Sequence, residues 1–284
     1  MKIGLSTCGK KYEDENFFEE CKKAGIDCVE VSLPWEICGE FDLDDLRKKA
    51  DTSGIELWSY HLPFCPFSEN DISSTDEEKR LYSINLQKSL IQKAAAVGIK
   101  NFVIHPSAEP IDISERRDRL LCSKQSLSDL ADEAEKYGAI ICAEDLPRTC
   151  IGRSSYEMCE LIKDDPRLMV CFDTNHLLGE YIPDFVKKVA GRIATLHVSD
   201  YDFWNERHWL PGEGNIDWSE LYSALLEVGY KGPWLYEVSY GAPKSIIRSR
   251  DLTPADFANN AREIMSGKKP TPMGKPVENL EFRN

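Results

Sequence analysis

Eight short apolar runs rich in β-branched residues recur along the chain, at 2–7 (KIGLST), 28–33 (CVEVSL), 56–61 (ELWSYH), 101–105 (NFVIH), 139–144 (AIICAE), 168–173 (LMVCFD), 193–197 (IATLH) and 234–238 (WLYEV). Their length and composition predict buried strands. Between them lie amphipathic stretches such as NFFEECKKAG and INLQKSLIQKAAAVG, which read as helices. Gly25, Gly54, Gly98 and Gly138 each follow such a stretch and shortly precede the next strand. That is the place of a helix C-cap, where glycine takes the left-handed conformation without steric cost. The repeated helix–Gly–strand signal predicts βα units, and eight of them predict a closed α/β barrel of the (β/α)8, or TIM, type.

At 284 residues the chain suits one such domain, expected over 1–267. From Lys268 onward, KKPTPMGKPVENLEFRN has three prolines and little periodicity, which predicts an extended tail over 268–284. No stretch approaches the roughly 20 apolar residues of a membrane span. The opening MKIGLSTCGKKYEDE lacks the apolar core and cleavage site of a signal peptide, so a cytoplasmic protein is expected. The ten cysteines agree: there is no CxxC, and Cys28, Cys142 and Cys171 lie inside apolar strand runs. Free thiols are expected, with neither disulfides nor a cysteine zinc site. The net charge of −14 disfavours a broad contact with nucleic acid and leaves a small molecule as the expected partner.

The five histidines add chemistry to this picture. His61, His105 and His197 each end a strand run, His176 lies three residues past Asp173, and His208 eleven past His197. Glu144, Asp173 and Glu237 sit at the ends of three more runs. In a βα barrel the C-terminal ends of the strands converge on one mouth. Glu144, Asp173, His197 and Glu237 thus come together from four successive strands. Carboxylates plus one imidazole suit one divalent ion (Mn, Mg, Co or Zn) with open positions for a ligand. Singly, each is equally well a hydrogen-bonded polar group at a strand end; in this order they are specific.

The segments AEDLP, FDTNH, HVSD, YEVS and PGEGNIDW resemble those of the xylose isomerase-like TIM-barrel superfamily, over about residues 2–240. That superfamily holds sugar and sugar-phosphate isomerases and epimerases, and the endonuclease IV class of DNA-repair enzymes. The resemblance to its ketose 3-epimerase branch implies that Glu144, Asp173, His197 and Glu237 bind one metal. It also implies that Glu144 and Glu237 flank the substrate as acid and base. The ion and the sugar carbonyl together stabilise an enediolate; one carboxylate removes the proton and the other returns it on the opposite face. A single swinging base would give the same-face transfer of an aldose–ketose isomerisation, and both remain open. Two departures speak against a free ketohexose. His208, with Arg207 beside it, replaces an arginine four residues before Gly212, and Cys150 replaces a glutamate six residues after Glu144. Arg148 matches an arginine of some members.

The endonuclease IV branch offers the alternative, a phosphodiesterase with three zinc ions. Its ligands correspond to His61, His105, Glu144, Asp173, His176, His197, Glu206, His208 and Glu237, with agreement in type at eight of nine and Glu206 in place of an aspartate. Its DNA-contacting loops are not recognisable in HPSAEP, AEDLPRTCIG or DTNHLLGE, and the acidic charge also favours sugar chemistry. On that reading His61, His105, His176, Glu206 and His208 contact substrate or hold additional metal. Arg148, Arg207 and Trp209 are further substrate contacts, and Trp35, Trp58, Tyr60, Phe64 and Trp204 are other aromatics expected near the mouth. A third reading, a non-catalytic sugar-binding barrel, needs no opposed acid and base, and the intact Glu144 and Glu237 argue against it. PGEGN does not fit a phosphate cradle; Gly212 and Gly214 are expected to form a turn that returns His208 over the metal.

Overall fold

The eight runs form eight parallel strands in a computed structural model of the protein, which describes residues 1–8 and 16–278. They are β1 (Ile3–Ser6), β2 (Cys28–Ser32), β3 (Glu56–His61), β4 (Asn101–Ile104), β5 (Ile140–Glu144), β6 (Leu168–Asp173), β7 (Ile193–His197) and β8 (Trp234–Tyr236). Hydrogen bonding runs in the order β7-β6-β5-β4-β3-β2-β1-β8. The residue after β7 closes the ring: Val198 N–H donates to Leu235 O at 2.8 Å, and Glu237 N–H donates to Val198 O at 3.2 Å. Helices cover the outside: α1 (Phe17–Ala24), α2 (Trp35–Cys38), α3 (Leu43–Ser53), α4 (Glu77–Ala96), α5 (Arg116–Glu135), α6 (Ser155–Ile162), α7 (Ile182–Lys188), α8 (Trp218–Glu227) and α9 (Pro254–Met265).

Local chemistry sets these boundaries. Asp42, Asp76, Ser154 and Asp217 cap the starts of α3, α4, α6 and α8 by accepting backbone N–H bonds. Gly25, Gly54, Gly98 and Gly138 all take positive φ, between 59° and 92°. The main apolar core lies between sheet and helices, where Val29 and Val31 of β2 are fully buried. Alternation along a strand sends every second residue inward. Val103, Cys142 and Cys171 form a separate small apolar layer, and polar strand ends sit beyond it. Among the described residues no helix is long and apolar enough to cross a membrane, and all ten cysteines are free.

Residues 274–276 run extended and pair antiparallel with Ile246–Arg248 as a two-stranded ribbon. The tail's last six residues, 279–284, lie outside the described residues.

Candidate metal and active site

Strand ends deliver the site. Glu144, Asp173 and His197 are the last residues of β5, β6 and β7, and Glu237 directly follows β8. One ligand atom from each lies within 4.8 Å of the other three, and all four residues are buried. Four further groups overlap or flank this one; the two that flank it are His61 with His105 and Glu144, and His176 with Glu206 and His208. All nine polar residues anticipated as ligands or their neighbours therefore gather at one mouth.

Hydrogen bonds decide which nitrogen of each imidazole faces inward. His61, His176 and His208 place Nδ1 against main-chain oxygens of Leu62 (2.9 Å), Asp145 (2.7 Å) and Glu237 (3.1 Å). A carbonyl only accepts, so Nδ1 carries the hydrogen and Nε2 is the inward atom. From there His61 Nε2 reaches Glu144 Oε2 at 3.2 Å, and His208 Nε2 reaches Glu206 Oε1 at 2.9 Å. His176 Nε2 lies 3.5 Å from Glu206 Oε1 and 3.7 Å from Asp173 Oδ2. His105 Nε2 also reaches Glu144 Oε2, at 3.2 Å. His197 is the exception: its Nδ1 faces in, 2.8 Å from Glu144 Oε1 and 3.5 Å from Glu237 Oε2.

The donor set fits a divalent ion. Three buried carboxylates around one imidazole repel each other unless positive charge lies among them. Asp173 Oδ2 is buried without a hydrogen bond, while Asp173 Oδ1 accepts from Asn175 N–H at 2.6 Å. A buried carboxylate oxygen left without a donor, among other carboxylates, is what a cation site requires.

The titration of these groups follows from the same charges. Burial opposes protonation of His61, but the hydrogen bond and charge of Glu144, with Glu30 and Glu237, push it up to about 9. Burial likewise opposes protonation of His208, and Glu206 and Glu237 push it up to about 9. Burial raises Asp173 to about 6, against the pull of His176 and His208. Glu144 is also opposed by burial, yet His197 and His105 hold it well below the usual carboxylate range. Histidines raised above their unfolded value stabilise the fold below about pH 6.5, and that contribution is lost as pH climbs through about 9. Chelator-stripped protein is therefore expected to lose thermal stability between about pH 6.5 and 9, and metal-loaded protein to lose far less, because the ion replaces the protons. Melting temperatures of both forms across that range check this.

A cavity of about 180 Å³ opens beside the cluster, lined by His61, His105, His176, Glu206, His208 and Glu237 among others. Glu144 lies beneath them, fully buried. Phe64 stacks on His105 at 4.2 Å between ring centres and lines both this cavity and an adjoining one of about 370 Å³ that includes Trp35. Arg148, held at a φ of 54°, bridges Glu109 and Glu206 at the rim, with Nη1 2.7 Å from Glu206 Oε2.

Other candidates sit elsewhere. Trp209 is 1% exposed and donates to Ser245 Oγ. Arg207 pairs with Asp202 at 2.7 Å; neither lines the cavity. Trp204 is exposed at the surface. Trp58 lies inside the barrel toward the N-terminal strand ends, donating to Thr195 and facing Lys2. Tyr60 packs on Phe102 in the main core. The PGEGNIDW segment wraps Asp200, whose carboxylate accepts from Gly212 N–H, Ile216 N–H and Trp218 Nε1–H. Gly212 takes a φ of 96° with Pro270 O 2.6 Å from where a Cβ would stand. Trp209 pairs with Asp200, so this wrap anchors the strand-like return that carries His208.

Sequence reasoning missed Glu30. It is fully buried in β2 and bonds His197 Nε2 at 3.0 Å. The signal was present: an acid flanked by Val29 and Val31 takes the inward position of a strand otherwise made of apolar and small residues.

Comparison with known proteins points one way. A family model described as xylose isomerase-like TIM barrel matches residues 18–256. The D-psicose 3-epimerase of Ruminiclostridium cellulolyticum is 24% identical over 261 residues, covering 88% of this chain and 86% of that protein. The inosose isomerase of Halalkalibacterium halodurans is 26% identical over 263 residues, covering 83% and 88%. Among solved structures, the IOLI protein with a bound zinc atom superposes with a TM-score of 0.77 at 21% identity, covering 94% of this chain and 97% of that one.

Proposed function

The chain belongs to the xylose isomerase-like TIM-barrel family, and from that premise we propose that it is a divalent-metal-dependent isomerase or epimerase of a small sugar or sugar phosphate. The observation that carries this reading is the convergence of Glu144, Asp173, His197 and Glu237 within 4.8 Å at the mouth. Relatives named D-psicose 3-epimerase and inosose isomerase align over more than four-fifths of the chain. The free thiols agree with action in the cytoplasm.

Glu144, Asp173, His197 and Glu237 would hold the ion, and when bound it would supply Lewis acidity toward a substrate carbonyl. The rest is the work of the chain's own groups. Glu237 lines the cavity, and among the described residues its carboxylate accepts no hydrogen bond shorter than its 3.5 Å approach to His197. It is the group placed to take a proton from the carbon next to the carbonyl, leaving an enediolate. Glu144 has both oxygens engaged, by His61, His105 and His197. It acts from the opposite side and draws on His61 and His105 as proton donors. His61, His105 and His208 offer ring nitrogens to sugar hydroxyls, and the Phe64 face keeps water from the reacting carbon. Arg148 stands at the rim for a distal hydroxyl or phosphate.

The two flanking groups favour a second reading, a three-zinc phosphodiesterase, because His61 and His176 each hold Nδ1 on the main chain and turn Nε2 inward as metal ligands do. Metal content of the purified protein separates the two. The sugar reading expects close to one ion per chain, retained in His61→Ala and His105→Ala. Close to three zincs, with loss of part of the metal in those variants, supports the phosphodiesterase.

A further inference from the structure

We infer that Glu30 is the positioning residue that fixes the ring of His197, the one imidazole in the four-residue metal group, so that Nδ1 faces the metal. The inference rests on the reading that His197 is a metal ligand. Three other histidines at the mouth, His61, His176 and His208, set their ring nitrogens by bonding a main-chain oxygen. His197 does not, and instead its Nε2 lies 3.0 Å from Glu30 Oε1. A carboxylate accepts, so Nε2 carries a hydrogen toward Glu30, and when an ion lies between His197 and Glu144 it is Nδ1, 2.8 Å from Glu144 Oε1 in its absence, that gives up its proton and offers the lone pair.

The local architecture holds Glu30 to that task. Glu30 is fully buried, and its second oxygen accepts from Ser59 Oγ at 2.7 Å. Ser59 is its cross-strand partner in β3, just past a shift of register between Val29 and Glu30. On its other side the His197 ring stacks on His61 at 5.5 Å with planes 11° apart. That contact sets the ring plane but leaves a half-turn about Cβ–Cγ open. A half-turn would exchange Nδ1 for a carbon and break the bond to Glu30. The Glu30 contact behind the ring therefore holds the orientation with Nδ1 inward, the same one that brings Nδ1 to 2.8 Å from Glu144 Oε1. A buried carboxylate behind a metal-bound imidazole is a recurrent arrangement, and losing such a partner typically weakens metal binding about 10–100-fold.

The test is Co²⁺ titration of chelator-stripped, full-length protein, with affinity read by competition against a chelator, for Glu30→Ala, Glu30→Asp, Glu30→Gln and His197→Ala. Glu30→Asp keeps the charge but withdraws the acceptor by one methylene; Glu30→Gln loses the charge but keeps an oxygen in reach of Nε2–H. Orientation as the role predicts weakening of about 10–100-fold in Ala and Asp, and substantial recovery in Gln. Nitrogen-15 spectra of labelled histidine should show the Nε2–H form of His197 in the Zn²⁺-loaded wild type and Gln variant, and its loss in Asp. In the His197→Ala background, Glu30→Gln should change Co²⁺ affinity by less than about two-fold. If the Ala variant does not fold, the Asp–Gln contrast decides alone. Wild-type affinity in Glu30→Asp with weakening in Glu30→Gln would overturn the inference, and so would wild-type affinity in every folded Glu30 variant while His197→Ala loses the ion. Undiminished Co²⁺ binding by His197→Ala would instead overturn the metal assignment on which the inference stands.

Discussion

Replacing Glu237 by glutamine in the metal-loaded enzyme is expected to cut turnover by about 10²–10⁴-fold, the range a general acid–base group supplies. Glutamine keeps the shape and one ligand oxygen but cannot accept the substrate proton. Because Glu237 faces the cavity and is less engaged by histidines than Glu144, the loss should fall on kcat, with the metal still bound. Turnover measured beside metal content checks this. A metal-replete Glu237→Gln protein with near wild-type kcat would remove Glu237 from the proton transfer.

Glu144→Gln is expected to act differently, on metal and stability together. The Glu144 carboxylate is fully buried and meets His61, His105 and His197 at 2.8–3.2 Å. Losing its charge leaves those histidines facing an amide in place of an anion. Breaking a buried pair from one side costs on the order of 3 kcal/mol, so denaturant unfolding of chelator-stripped protein at neutral pH should shift by about that amount. Metal affinity should fall more in Glu144→Gln than in Glu237→Gln, since Glu144 belongs to three of the candidate metal groups and Glu237 to two. Equal affinities and unfolding midpoints in the two variants would show that Glu144 has no such central place.

The barrel was legible because its signals are local. Each strand is a short apolar run, and four helices are followed within three residues by a glycine of positive φ, which is the helix cap itself at Gly25 and Gly54, while α4 and α5 are capped by Val97 and Lys136 and reach Gly98 and Gly138 just after. Convergence of Glu144, Asp173, His197 and Glu237 then follows from topology, since parallel strands bring their C-terminal ends to one face. Side-chain direction within loops was not legible. Trp209 and Arg207 stand in the same loop as His208, but the pairing of Trp209 with Asp200 turns the indole inward toward Ser245, while His208, at a φ of 50°, turns to the mouth. Glu30 was overlooked for a related reason. Its role depends on which face of β2 lines the barrel and on His197 lying across it, a partner 167 residues away. Trp58 and Tyr60 show the same limit within one strand, one inside the barrel and one packed against the helices.

The most direct test of the central claim is exchange with solvent. Metal-loaded enzyme is incubated in D₂O with a panel of ketoses and ketose phosphates, and with an abasic-site duplex at low salt. The account predicts deuterium entering a sugar C–H next to the carbonyl, dependent on the metal and lost in Glu237→Gln, with the duplex left intact. No deuterium in any sugar, together with zinc-dependent cleavage at the abasic site that is lost in His61→Ala or His105→Ala, would contradict it.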